Sequence, residues 1–352
     1  MDEWFCSWYG PGGGDVDLGG GLEVVPRQEE NSQTPAFDRR AKPGGAGVGR
    51  SHAFGFAGGR RAGRILISVG LMKSELLLAT NGFESTWPSI EYGAWVAAST
   101  GMPVTLLGIA EHMPGTPPDH KYPLEEILAR AAKLFEQKGV SYTSEIQNGD
   151  AEKIIPFKAK EKDCITVIGP LGRSPLRRFI MRRSIRHLMA EISTPILYVP
   201  KARLPLKKML VCIGGLGYEI TSEHLGLRVG VMSRADVTLL HVAASVDLDY
   251  PTARVEREQW QDLIHTETPA GRSLRQALET AQAAGLNANV KARQGNVIEE
   301  ILAEIKDGDY DLVCMGSQYS AHTLRQMYMP NITEEVAESA QCPILTARYN
   351  PE

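Results

Sequence analysis

From residue 74 onward, short apolar runs alternate with stretches in which apolar residues recur every three or four positions. The apolar runs predict strands at 76–80, 104–110, 142–147, 164–169 and 195–199, and the periodic stretches predict helices at 85–99, 124–138, 151–160 and 184–192. In the helix over 124–138, Leu124, Ile127, Leu128, Ala131 and Leu134 fall on one face. The same order then returns, with strands at 209–213, 237–242, 288–293, 312–315 and 343–347 and long helices at 222–232 and 271–284. Strands separated by helices imply right-handed crossovers and hence a parallel sheet with helices on both faces. Runs such as LLLAT at 76–80 and MLVCI at 209–213 are apolar without alternation, as strands buried on both sides require.

The repetition is literal in places. VTLLGIA at 104–110 returns as VTLLHVA at 237–243, and STPILYV at 193–199 as QCPILTA at 341–347. The spacing is 133 residues from Leu76 to Met209, 147 from Gly169 to Gly316 and 148 from Pro195 to Pro343, so the drift accumulates mostly in one connecting region. A duplicated domain follows. The expected fold is α/β: two tandem five-stranded parallel-sheet, Rossmann-like (doubly wound) domains at 73–200 and 206–348, joined by a short linker at 200–205 and packed as a pseudo-dimer. Two sheets that both end in Pro-Ile-Leu strands are suited to pair across a pseudo-twofold axis. Residues 1–72 differ, being rich in glycine and poor in patterned apolar surface, and are expected to form a disordered extension. Met72 and Lys73 stand directly before the first strand, as a natural start would.

Composition narrows the class. The 352 residues are 43% hydrophobic and 23% charged, with a mean hydropathy of -0.20, which describes an ordinary globular chain. A formal charge of -4 argues against bulk nucleic-acid affinity. The cysteines, Cys6, Cys164, Cys212, Cys314 and Cys342, form no CxxC, and all but Cys6 lie in or beside apolar runs, which suits small core side chains in a reducing compartment. Without a membrane-length apolar run or a leader pattern, the cytoplasm is the expected location.

Four kinds of match together carry a family resemblance. They are the L-L-L-A-T-N-G strand and turn from Leu76, the repeated V-T-L-L, the E-K-I-I and E-E-I-L helices at Glu152 and Glu299, and the terminal T-P-I-L and C-P-I-L strands. In this order and spacing the chain resembles the universal stress proteins, in a tandem two-domain form covering about 73–350. The resemblance implies a five-stranded parallel sheet in each half. In nucleotide-binding members it further implies ATP held by G-x-x-G-x9-G-[S/T] after the fourth strand, and an acidic residue near the adenosine at the end of the first.

This chain departs from that pattern at each point. Gly169-Pro170-Leu171-Gly172 opens the motif in the first half, but Arg182 and Arg183 stand where Gly and Ser or Thr belong. In the second half Gly316-Ser317-Gln318-Tyr319 lacks the second glycine, and Pro330 and Asn331 occupy the closing positions. The acidic position holds Asn81 in one half and Gly214 in the other. Asn81 retains hydrogen-bonding capacity without charge. Gly214-Gly215-Leu216-Gly217 reads either as a phosphate-approaching turn or as a tight strand-to-helix turn, and Ile220 replaces the third glycine of a dinucleotide fingerprint.

Arg173, Arg177, Arg178, Arg182, Arg183 and Arg186 crowd the first-half loop, whereas Arg325 alone occupies its counterpart. Three readings stand: guanidiniums gripping a phosphate or other anion, a basic amphipathic segment meeting anionic lipid or an acidic partner, or a solvated charged face. Catalysis has little to build on. His241 lies in a predicted buried strand and reads as a hydrogen-bonded core residue, and His187 and His322 have no nucleophile beside them. Glu111-His112 reads as surface, and no clustered metal ligands are expected.

The expected function is therefore a universal-stress-type binding or regulatory protein, not an enzyme, with a degenerate nucleotide-binding loop in both halves. The alternative is ATP or AMP binding, with slow or no hydrolysis, in the first-half crevice through Asn81, Gly82, Gly169, Gly172, Arg173, Arg182 and Arg183; the second-half candidates are Gly214, Gly215, Gly316 and Ser317. Expected partners are an adenine nucleotide or other anionic ligand and a protein partner or further copies of the chain, with no specific nucleic acid and membrane contact only through the arginine-rich loop.

Overall fold

The computed structural model describes residues 75–111, 124–171, 185–215, 217, 219–245, 252–317 and 332–348. The expectations for residues 1–72, for Met72, and for Gly172, Arg173, Arg177, Arg178, Arg182, Arg183, His112, His322, Arg325, Pro330 and Asn331 lie outside the described residues, as does that for the side chain of His187.

The first half runs β1 (Glu75–Thr80), α1 (Trp87–Thr100), β2 (Val104–Ala110), α2 (Leu124–Lys138), β3 (Tyr142–Asn148), α3 (Ala151–Lys160), β4 (Cys164–Ile168), α4 (Ile185–Glu191) and β5 (Ile196–Tyr198). The helix expected from residue 85 starts at Trp87 because Glu84–Thr86 form a 3-10 turn. The second half runs β6 (Lys208–Cys212), α5 (Ile220–Ser233), β7 (Asp236–Ala244), α6 (Ala253–Glu258), α7 (Pro269–Ala283), β8 (Ala288–Gly295), α8 (Val297–Gly308), β9 (Leu312–Ser317), α9 (Ile332–Ser339) and β10 (Ile344–Arg348). The repeat spacing drifts because α6 and a 3-10 turn at Trp260–His265 are inserted between β7 and α7. Thr268 ends that insertion by accepting the Gly271 N–H at the start of α7, a capping bond of the kind that sets where a helix begins.

The strands form one ten-stranded sheet in the order β3-β2-β1-β4-β5-β10-β9-β6-β7-β8. Each half contributes five parallel strands, and the halves join where β5 meets β10 antiparallel. In that junction Leu345 faces Leu197, Ile344 faces Tyr198 and Thr346 faces Ile196. Since Leu197 and Leu345 are repeat equivalents, a pseudo-twofold passes between them, as the two Pro-Ile-Leu strands led one to expect. Central strands are buried on both faces: Leu76 and Leu78 enter the core layer under α1, α2, α5 and α7, while Leu77 and Ala79 enter the opposite layer under α3, α4, α8 and α9. Both layers continue across the junction, so burial of apolar area holds the halves together as well as the backbone ladder does. At the sheet margins β3 and β8 bury only part of their surface.

Polar links reinforce the junction. Arg186 on α4 pairs with Glu335 at 3.1 Å and Glu338 at 2.7 Å on α9. This corrects the grouping of Arg186 with an anion-binding cluster, because its guanidinium is engaged by carboxylates of the other half. Tyr92 of α1 donates to the Asp311 carbonyl at 3.4 Å. Cys164, Cys314 and Cys342 are buried and Cys212 partly so, and burial first of all pushes the Cys212 thiol up to about 12 and that of Cys342 to about 11. They are inert core side chains, as expected. Among the described residues, no helix is long and apolar enough to cross a membrane.

Candidate functional site

In doubly wound sheets ligands collect beyond the carboxyl ends of the strands. In the first half that edge is already occupied by the chain's own groups. Asn81, directly after β1, is fully buried, and its Nδ2 donates to Glu111 Oε2 at 3.0 Å and to the Leu171 carbonyl at 2.7 Å. Asn81 thus ties the ends of β1, β2 and β4 together. Thr80 and Thr86 hydroxyls bond at 2.6 Å, and the Gly82 N–H donates to Thr80 Oγ1 at 3.1 Å.

The glycines here have packing reasons to be glycine. Gly82 has φ +81° and a Cβ there would lie 2.7 Å from the Leu124 backbone; Gly215, its repeat equivalent, has φ +79° and would put a Cβ 2.7 Å from the Ala270 backbone. Both turns therefore let the start of a later helix, α2 or α7, close onto the strand end. Gly169 lies against Ser89 and Thr86 of the α1 entry, where a Cβ would come within 3.0 Å of Ser89 Oγ. Gly82→Ala is expected to destabilise the protein by about 2 kcal/mol, combining left-handed strain with displacement of α2, as read by urea unfolding. Gly101→Ala, at φ +73° with open space around it, isolates the strain alone and should cost about 1 kcal/mol.

Two expectations are corrected at the same edge. Glu111 is buried, not surface, because it receives the Asn81 amide and, at 3.4 Å, the Ala151 N–H of α3. Nor are metal-ligating residues dispersed: one carboxylate oxygen from each of Glu111, Asp150 and Glu152 lies within 4.8 Å of the others. The parallel pairing that sets Ala110 beside Asn148 brings the end of β2 against the start of α3, which unites positions far apart in the chain. Asp150-Ala151-Glu152 at a helix start was the legible signal. By strand register the second half has Ala244, Asn296 and Ile298 in those places.

The second-half edge is acidic in a different way. Gly214 follows β6, and the Gly215 N–H donates to Glu219 Oε1 at 2.9 Å. A carboxylate of the chain itself thus takes the backbone donor that would approach a phosphate. Glu223, one turn further along α5, is buried, and burial followed by the Glu219 charge raises its pKa to about 7. Glu256 of α6 is buried and accepts the Ala270 N–H at 3.4 Å. His241 on β7 is the expected core histidine: Nδ1 lies 2.8 Å from the Ile213 carbonyl, which can only accept, so Nδ1 carries the proton. Burial lowers the His241 pKa, against the opposing Ile213, Glu256 and Glu219 interactions, leaving a neutral ring at neutral pH. Neither this acidic set nor its burial was legible from local sequence. Gly316 pairs with Ala347 and Ser317 with Arg348 at the end of β9, and the Gly316 carbonyl accepts Thr333 Oγ1 at 2.8 Å.

Two doubly wound halves, fused edge to edge in one chain, define a tandem α/β protein. Residues 205–348 match the model of the universal stress protein family. A universal stress protein from Archaeoglobus fulgidus DSM 4304 is similar in structure with a TM-score of 0.59 and 17% identity, covering 78% of this chain and 97% of that one. A functionally unknown protein from Pseudomonas aeruginosa PAO1 is similar with a TM-score of 0.53 and 16% identity, covering 78% of this chain and 92% of that one. At such identities the likeness is one of fold, and its coverage extends the fold to the first half. No curated protein matches the chain by sequence.

Proposed function

We propose that this chain is a stress-type binding or regulatory protein whose nucleotide loops are degenerate in both halves, with the halves divided as 73–200 and 206–348. The observation that carries this reading is the internal use of the strand ends. Asn81 is committed to Glu111 and the Leu171 carbonyl, and the Gly215 N–H to Glu219. A phosphate at either edge would meet a buried carboxylate of like charge, and would have to displace a bond already made.

The alternative, ATP or AMP in the first-half crevice, draws on Gly169 and on the arginines of the following loop, Arg173, Arg182 and Arg183, with a ligand held by side-chain charge instead of loop amides. Calorimetric titration of the purified protein with ATP and AMP separates the two. The expected result is no saturable binding at micromolar nucleotide. Micromolar binding that disappears in Arg182→Ala would overturn the proposal in favour of the nucleotide reading.

A further inference from the structure

We propose that Glu111, Asp150 and Glu152, with the Asn81 amide oxygen, form a binding site for one hard divalent cation at the junction of β2 and α3. Three carboxylate oxygens within 4.8 Å of one another, two of them on buried residues, create a concentration of negative charge that a cation relieves. All three carboxylates take part in other interactions as well, which the ion would share.

The independent observation is Asn81. Its residue is fully buried and its amide nitrogen touches Glu111, yet its Oδ1 has no hydrogen-bond partner. A buried acceptor left without a donor is rare in folded proteins, and a bound ion or water is a common way of satisfying one. Asp150 adds a second sign. It occupies the N-cap of α3, where an aspartate ordinarily accepts the first-turn N–H groups, but its side chain makes no capping bond. Its counterpart Asn296 does cap α8, accepting from Ile298 and Glu299. The capping role has been given up only in the half that carries the other two carboxylates.

An all-oxygen donor set of carboxylates and an amide suits Mg²⁺, Mn²⁺ or Ca²⁺ and does not suit a thiophilic ion. Ala244, Asn296 and Ile298 offer no such set, so one site per chain is expected. The test needs no nucleotide: titration of the full chain with Mn²⁺ alone, following free Mn²⁺ by electron paramagnetic resonance. Roughly one equivalent should bind, and Asp150→Asn and Glu152→Gln should each weaken binding by about tenfold or more. Glu219→Gln, in the other half, should leave it unchanged. Far-ultraviolet circular dichroism verifies that each variant is folded; Asp150, the least buried of the three, supplies the variant that spares the core. Absence of saturable binding to folded protein up to about 1 mM Mn²⁺, equal affinity in both first-half variants, or stoichiometric binding of Zn²⁺ with none of Mn²⁺ would overturn the proposal.

Discussion

Glu304→Ala is expected to lower the unfolding free energy by about 4 kcal/mol, the range for breaking a buried ion pair. The Glu304 side chain on α8 is wholly buried, and its Oε2 accepts Lys291 Nζ at 2.6 Å and Arg293 Nη1 at 2.9 Å, both from β8. Its Oε1 accepts the Tyr310 hydroxyl at 2.7 Å. Burial by itself would raise the Glu304 pKa, but the bonds from Lys291, Tyr310 and Arg293 outweigh it and hold the group below its ordinary value. A depressed carboxylate contributes stability above its unfolded pKa and loses it as the pH falls through the folded one. The cost of Glu304→Ala should therefore be greatest at neutral pH and shrink in acid. Tyr310→Phe, which removes one bond to a charged acceptor, should cost roughly 2 kcal/mol. Equal stability of wild type and Glu304→Ala in urea at pH 7 would mean that this network is ornamental.

Glu223→Gln should act in the opposite direction, stabilising the protein by about 3 kcal/mol at pH 8. Burial, and then the neighbouring Glu219, moves Glu223 from 4.5 to about 7 in the folded protein. Between those values the native state holds a proton that the unfolded chain releases. The contribution of Glu223 is thus fully present below about pH 4.5 and is lost as the pH rises through about 7. Above that, folding must bury a charged carboxylate beside another. The glutamine variant stays neutral throughout, so its stability should lack the decline that wild type shows between about pH 5 and 8. Parallel curves for the two proteins across that interval would refute the shift.

The order of elements was readable because it depends on local periodicity. The bounds of β2 at Val104–Ala110 and of α2 at Leu124–Lys138 coincide with the apolar runs and stripes that predicted them. The helix α9 escaped because the sequence ITEEVAES offers only a sparse stripe, with Thr333 and Glu334 also buried. The candidate site was harder still. Glu111 meets Asn81 across 30 residues and Ala151 across 40, and nothing in the neighbourhood of Glu111 marks it for burial. Glu219 and Glu223 likewise look like the exposed acids of an ordinary helix start, yet both are buried. Glycines misled in the other direction: Gly82, Gly169 and Gly215 invite a phosphate reading, while the close approach of α1, α2 and α7 is what excludes a side chain there.

The ladder between β5 and β10 fixes more than a shape. In a dimer of separate identical chains, each crevice is a copy of the other, and dilution can part them. Here the partner strand is supplied by the same polypeptide, so pairing proceeds at the effective concentration set by a short tether and cannot be exchanged for another subunit. Every molecule then carries one edge lined by Asn81, Glu111, Asp150 and Glu152 and one lined by Glu219, Glu223, Glu256 and His241, in invariant one-to-one proportion. A change to either edge alters half of each molecule and never a mixture of molecules, which frees the two edges to diverge separately while sharing a single sheet.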